Sequence, residues 1–184
     1  MPISLTPLQT LALLLAILAI GNDLYARRVP NTVLLGTLAV AGLWQVLGLL
    51  GWVAISSPSL VHASLALVVG LAAMLPFYVI GWMGAGDVKL VAVLGFLLGL
   101  KPLLVVWVIG NLFLGVHTTL ILATRLAVRS QPQLASLQLG WQRSALHQLI
   151  QRPRQGRKGM PYAAYLGMGV FIYVFAMPLL GVAA

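Results

Sequence analysis

The stretch GAGDVKL (residues 84–90) places an aspartate and a lysine between two long apolar runs. The chain has 184 residues, and only two of them, Asp23 and Asp87, are acidic. Ordinary soluble domains are about one-quarter charged, whereas this chain is 7% charged and 61% hydrophobic, with a mean hydropathy of +1.03. The composition therefore predicts an integral membrane protein, in which an ionisable side chain is costly and usually has a function.

The composition also excludes several function classes. The chain has no cysteine, which rules out disulfide frameworks, thiolate metal sites and cysteine nucleophiles. The first 22 residues carry no side-chain charge, unlike the basic start of a secretory signal peptide, so we interpret them as a retained first span. The net charge of +9 does not indicate a nucleic-acid partner, because the basic residues lie between runs of spanning length.

Outward from residues 84–90, the apolar runs predict an all-α, polytopic membrane protein with about six transmembrane helices. A helix needs about 20 mostly apolar residues to cross the hydrocarbon. Five apolar runs reach this length and one is shorter, and a turn signal at residues 56–58 separates the second run from the third. The predicted helices are residues 5–22, 32–53, 60–80, 88–100, 103–123 and 160–182. The whole chain, residues 1–184, is predicted to be a single membrane-embedded domain.

The basic residues predict the orientation of these helices. With six spans, ten of the eleven Lys and Arg residues fall in segments on one side of the membrane, and only Lys101 lies on the other. Because basic loops are cytoplasmic, both termini are expected on the non-cytoplasmic side. The same threading places Asp23 and Asp87 together at the cytoplasmic side, where the two carboxylates can meet.

The short fourth run predicts that Asp87 lies inside the membrane. Its 13 residues cover about 20 Å at the helical rise, which is less than the roughly 30 Å of hydrocarbon. If Lys101 marks the outer boundary, Asp87 needs a water-filled cavity or a partner group. The alternative is that Lys101 snorkels outward and the helix extends past it.

Two carboxylates in one site are suited to general acid–base chemistry. They cannot both ionise easily, so one of the two pKa values rises and the pair holds a proton near neutral pH. The ionised partner can activate water while the protonated partner polarises a peptide carbonyl and then protonates the leaving amine. Gly84 and Gly86 lack a Cβ atom, which is expected to allow unusual backbone dihedrals and close approach of an extended substrate to Asp87.

Three motifs carry a resemblance to a known family. Residues 84–87 match the GxGD motif of the intramembrane aspartyl proteases, and their continuation VKL resembles the version found in type IV prepilin peptidases. Residues 22–24 (NDL), followed by RRVPN at 27–31, resemble the first-aspartate segment of that family. Residues 160–164 (MPYAA) resemble the proline-aromatic motif that opens its last helix. The motifs spread over nearly the whole chain.

The resemblance implies a membrane aspartic endopeptidase, a hydrolase of the prokaryotic cytoplasmic (inner) membrane. Its substrate would be a prepilin or pseudopilin, cut at the cytoplasmic face between the leader and the hydrophobic helix. Asp23 and Asp87 would be the catalytic pair, with no cofactor and no metal ion. Five further residues match motif positions and are expected to shape the site: Gly84, Gly86, Lys89, Pro161 and Tyr162. The lipid bilayer is the other expected partner, and the oligomeric state is not indicated.

The chain also departs from the larger members of that family. Many bacterial prepilin peptidases carry a soluble insertion with paired cysteines after the first helix, and a methyltransferase activity accompanies cleavage in them. This chain has no cysteine and only nine residues, 24–32, in that place. It therefore resembles the compact enzymes of tight-adherence (Flp) pili, and no methylation is expected. Ala163 stands where a glycine is frequent in the family.

Other interpretations of the same residues stay open. Asp23 has an i,i+4 neighbour in Arg27 with which it can pair, and Lys89 fits an orientation charge as well as a site residue. Three other functions also fit: a GxGD peptidase for other signal or preflagellin-like precursors, a carboxylate-relay ion or proton-coupled transporter, and a non-catalytic scaffold for pilus assembly. The transporter gives no reason for the proline-aromatic motif.

Two polar features lie outside the predicted site. The basic cytoplasmic loop 125–158 has apolar residues at helical spacing, which fits a helix on the membrane surface facing anionic headgroups. The alternative interpretation is that this loop docks the substrate or the pilus machinery. His117, with Thr118 and Thr119, is predicted to form an interhelical hydrogen-bonding patch rather than a metal site.

Overall fold

The computed structural model describes residues 5–26, 29–54, 58–130 and 161–179. These ranges contain six α-helices and no β-strand, so the predicted all-α class is confirmed. The helices are α1 Pro7–Ala26, α2 Asn31–Leu49, α3 Leu60–Val79, α4 Ala85–Leu98, α5 Leu100–Ser130 and α6 Tyr162–Leu179. Arg27 and most of the basic loop, residues 131–158, lie outside the described residues, as do the predictions made for them.

Four helices are long and apolar enough to cross a membrane, namely α1, α2, α3 and the part of α5 from Leu100 to Ala127. Their mean hydropathies lie between 1.6 and 2.1. This indicates a multi-pass membrane protein. Helix α4 has only 14 residues, and the apolar part of α6, Tyr162–Ala176, is also shorter than the four long helices. The count of six spans therefore stays a prediction, and so does the sidedness of the termini, which depends on that count.

The helix ends lie within four residues of the predicted ones, except that α5 continues to Ser130 instead of ending near residue 123. Nothing in the local sequence stops this helix at the membrane boundary. The break between α4 and α5 falls at Gly99 and not at residues 101–102. Gly99 has φ +87°, a left-handed conformation that glycine adopts without strain. Pro102 is tolerated in the first turn of α5, where its missing N–H is not needed.

The helices form two closely packed groups. One group is α3 with α4, and the other is α6 with α1 and α5, whereas the contacts between the groups are smaller. Helix α2 makes modest contacts with α1 and α4. Helix α4 lies in the interior, since ten of its residues are buried, namely Val88 and every residue from Leu90 to Leu98. The helix that begins with the GAGD segment is therefore shielded from lipid along most of its length.

Glycines let the helices of each group approach closely. A Cβ atom at Gly95 in α4 would lie 2.6 Å from the carbonyl oxygen of Ala66 in α3. A Cβ atom at Gly169 in α6 would lie 2.6 Å from the carbonyl oxygen of Val106 in α5. Small residues at such crossings are typical of membrane helices, whose association depends on close van der Waals contact rather than on the exclusion of water.

A polar contact also joins α5 to α6. The Nδ1 atom of His117 and the hydroxyl group of Tyr165 form a hydrogen bond, and the two rings meet edge to face with centroids 5.7 Å apart. The interhelical prediction is confirmed for His117. The Thr119 hydroxyl donates instead to the carbonyl oxygen of Gly115 in its own helix, at 2.9 Å, and Thr118 also donates to a carbonyl of α5.

Candidate functional site

Asp23 and Asp87 line one cavity of about 1260 Å³. The end of α1, the starts of α2, α4 and α6, the last turns of α3 and the middle of α5 all contribute to its wall. The polar lining residues are Asp23, Asn31, Thr32, Asp87, Lys89, Asn111 and Tyr162. The cavity brings together both of the acidic residues that the chain contains.

Asp23 is fixed at the start of α6. The residue lies in the last turns of α1 and is only 5% exposed. Its Oδ2 atom accepts the backbone N–H of Ala164 at 3.0 Å. Ala164 is in the first turn of α6, where backbone N–H groups have no partner within the helix and the helix dipole is positive. This contact stabilises a carboxylate in an otherwise apolar bundle.

Asp87 lies in the first turn of α4 and is half-buried. Its Oδ2 atom accepts the backbone N–H of Gly84 at 3.3 Å, which is the contact of a side chain with the N-cap of its own helix. Asp23 and Asp87 line the same cavity, so the charge of one carboxyl group acts on the other. Their proximity agrees with the predicted pair, whose catalytic role stays a prediction.

The backbone at the two glycines is ordinary. Gly84 has φ −78° and ψ 151°, and Gly86 lies inside α4. The expectation of unusual dihedrals at these positions is therefore wrong. The glycines instead provide space, because a Cβ atom at Gly84 would lie 3.3 Å from Oδ2 of Asp87 and one at Gly86 would lie 3.5 Å from the carbonyl oxygen of Val29.

This spacing gives a prediction for Gly86. Gly86→Ala adds one carbon at an ordinary van der Waals distance from Val29, so the midpoint of thermal unfolding in detergent is expected to stay within a few degrees. Gly86→Leu places a branched side chain against the segment that leads into α2, and overpacking of this kind costs about 1–3 kcal/mol. Equal midpoints for the two variants would contradict the close contact between α4 and Val29.

Lys89 lies on the cavity wall and connects two helix starts. Its side chain is exposed, and its Nζ atom donates to Oδ1 of Asn31 at 3.1 Å. Asn31 is the first residue of α2. Lys89 lies on the same cavity wall as Asp23 and Asp87, where a cation affects the electrostatics of both carboxyl groups. This position favours a contribution to the site over a purely orienting charge.

The proline-aromatic segment lies at the same end of the bundle. Tyr162 is the first residue of α6, is partly buried and lines the cavity, whereas Pro161 precedes the helix. Tyr162 shares the lining of this cavity with Asn111, Trp107 and Asp87. Tyr162 is therefore near the carboxyl pair, and Pro161 is the residue before Tyr162.

Sequence reasoning missed Trp107 and Asn111, which line the cavity from α5. Asn111 is the only carboxamide residue between Leu100 and Ser130. A polar side chain in the middle of an apolar span usually has a partner on another helix, and this signal was available. Trp107 carried no such signal, since an indole inside an apolar run is equally compatible with contact to lipid.

The site is chemically able to act as an acid and a base. One carboxyl group is held by a helix N-terminus and the other by an N-cap, and both reach a cavity large enough for a segment of another chain. Among the described residues, no group of three or more His, Cys, Asp or Glu side chains is placed to hold a metal ion.

Comparison with known proteins adds one match. The model of the type IV leader peptidase family matches residues 10–121. The matched region is more than half of the chain and includes both aspartates. No curated protein and no solved structure gives a significant match.

Proposed function

Because the chain belongs to the type IV leader peptidase family, we propose that it is an aspartic endopeptidase that removes the leader of a prepilin or pseudopilin precursor. The family makes the chain a peptidase. The observation that carries the aspartic mechanism is the carboxyl pair, since Asp23 and Asp87 come from α1 and α4 and meet at one cavity.

In the proposed mechanism the two aspartates divide the roles of base and acid. The ionised carboxylate takes a proton from a water molecule, whose oxygen attacks the carbon of the scissile carbonyl. The protonated carboxyl group hydrogen-bonds to the carbonyl oxygen and stabilises the charge that develops there. When the tetrahedral intermediate collapses, the C–N bond breaks and a proton passes to the leaving amine.

The cavity supports a peptide substrate. Its volume of about 1260 Å³ exceeds the roughly 300–1,000 Å³ of typical small-molecule pockets. Met74, Phe77 and Trp82 contribute apolar wall beside the carboxyl pair. Such a lining suits a segment in which a polar leader meets an apolar helix, which is the chemistry of a prepilin around its cleavage point.

The connection between α1 and α2 supports a peptidase without methyltransferase activity. Helix α1 ends at Ala26 and α2 begins at Asn31. The four intervening residues leave no room for the soluble insertion of the larger enzymes. We place the protein in the inner membrane of a prokaryote, with the cavity facing the cytoplasm as the distribution of Lys and Arg predicts.

Cleavage of a panel of precursors tests this function. The protein is co-expressed in turn with a prepilin, a pseudopilin, a preflagellin and an ordinary secretory precursor, and the new N-terminus of each product is sequenced. Prepilin or pseudopilin is expected to lose its leader while the secretory precursor stays uncut. Cleavage of the preflagellin alone would assign a different substrate, and a folded protein that cuts no precursor would contradict the proposal.

A further inference from the structure

Residues 29–31, which we name the connector, join α1 to α2 and lie on the first turn of α4. Val29, Pro30 and Asn31 all line the cavity. Val29 is buried, with 8% of its surface exposed, and it follows Asp23 by only six residues. The connector is therefore a short tether between the helix that carries Asp23 and the helix that carries Asp87.

Two contacts hold the connector on α4. Gly86 packs against Val29, since a Cβ atom at Gly86 would lie 3.5 Å from the Val29 carbonyl oxygen and 3.7 Å from its backbone nitrogen. Three residues further along α4, the Nζ atom of Lys89 donates to Oδ1 of Asn31 at 3.1 Å. Positions three apart are neighbours on a helix surface, so one face of α4 makes both contacts. In sequence, Asp87 lies between them.

The bond between Lys89 and Asn31 restrains the start of α2. Asn31 is the first residue of α2, and this helix makes only modest contacts with α1 and α4. The four-carbon stem of lysine lets its ammonium group reach a neighbouring helix, and a hydrogen bond from a charged donor is stronger than a neutral one. The bond therefore fixes a helix start that packing alone holds weakly.

We infer that Lys89 and Asn31 are positioning residues whose hydrogen bond holds the connector on the first turn of α4, and so sets the position of Asp87 relative to Asp23. The two aspartates belong to separately packed groups of helices, α1 with α5 and α6, and α4 with α3. The connector joins these groups at the end of the bundle where both carboxyl groups line the cavity. The inference rests on the proposed function, because the pair that is positioned is the pair that cleaves the precursor.

Lys89→Met and Asn31→Ala test the inference, because each removes one partner of the bond. Each is expected to lower the kcat for leader cleavage on the order of 10-fold, since small displacements of reacting groups have effects of this size. The double variant is expected to be no slower than the slower single variant, because either substitution alone already removes the bond. The KM is expected to stay at the wild-type value.

Thr37→Ala is the matched control. Thr37 is also a polar residue of α2, but its hydroxyl group donates to the carbonyl oxygen of Val33 in the same helix, at 2.9 Å. It does not line the cavity. The kcat of this variant should therefore equal that of the wild type.

The kinetic outcomes separate the inference from the proposed function. Similar losses of kcat that do not accumulate in the double variant support it. A loss in Lys89→Met without a loss in Asn31→Ala would show that Lys89 acts through its charge alone, which would overturn the inference. No loss in either variant, losses that multiply, or a raised KM with an unchanged kcat would also overturn it. All of these leave the function standing in a protein that needs Asp87 for cleavage.

A distance measurement tests the positioning without any substrate. The chain has no cysteine, so Tyr25→Cys with Ile80→Cys takes two spin labels selectively. Both side chains are exposed, and they lie in the last turn of α1 and directly after α3, one in each group of helices. The distribution of label distances is expected to broaden in Lys89→Met and in Asn31→Ala but not in Thr37→Ala. An unchanged distribution in the two test variants would overturn the inference even if no precursor were cut.

Discussion

Asp87→Asn and Asp23→Asn are each expected to lower the rate of leader cleavage by about 10²- to 10⁴-fold, the usual contribution of a positioned acid or base. Asparagine has the shape of aspartate and its side-chain oxygen still accepts a hydrogen bond, so the Ala164 and Gly84 contacts can persist. It cannot take or release the proton that the mechanism requires. The loss should therefore appear in catalysis and not in folding.

The measurement is quantitative conversion of a co-expressed prepilin, with each variant brought to the same membrane level and its thermal unfolding midpoint checked. The double variant is expected to be no slower than the slower single variant, because groups that act as a unit are not additive. Lys101→Gln removes a charge at the other end of the bundle and serves as the control. Full cleavage by either single variant would refute the aspartic mechanism.

Gly95→Ala is expected to destabilise the fold by about 1–3 kcal/mol, the usual cost of overpacking. The new Cβ atom would lie 2.6 Å from the backbone oxygen of Ala66 and 3.1 Å from Cδ2 of Leu103. The Leu103 side chain can rotate away, but the Ala66 carbonyl belongs to α3 and moves only if the two helices separate. Because α4 carries Asp87, the separation should also lower the rate of cleavage.

Gly115→Ala is the matched control, since a Cβ atom there meets nothing within 4 Å. Both variants replace a glycine within a helix, so the gain in helix propensity is similar and the difference between them reports the contact with α3. Thermal unfolding in one detergent and prepilin cleavage are measured on both. Equal unfolding midpoints would show that α3 and α4 are not in close contact at Gly95.

The parts of the fold that depend on hydrophobic length were predictable from the sequence. An apolar run of about 20 residues becomes a membrane helix whatever surrounds it, which is why α1, α2 and α3 begin and end near their predicted positions. The end of α5 was not predictable in this way, because a helix that has left the hydrocarbon continues until its own residues stop it. The break falls at Gly99 and not at the predicted Pro102, because a proline in the first turn of a helix does not interrupt it.

The site was predictable where charge or a family motif marks it. Asp23 and Asp87 stand out in a chain with two acids, and the distribution of Lys and Arg brings them to one side. Trp107 and Asn111 reach the cavity through the rotation of α5 about its axis. The Asn111 carboxamide was a sequence signal for that rotation, whereas the indole of Trp107 within an apolar run is equally compatible with contact to lipid.

The division of the bundle into two groups has a mechanical consequence for the carboxyl pair. Asp23 is joined through Ala164 to the group of α1, α5 and α6, whereas Asp87 belongs to α4, which packs mainly against α3. A small rotation of one group against the other therefore changes the separation of the two carboxyl groups without unwinding any helix. The separation of the two carboxyl groups is therefore set by how the two groups of helices pack against each other, and not by the packing within either group.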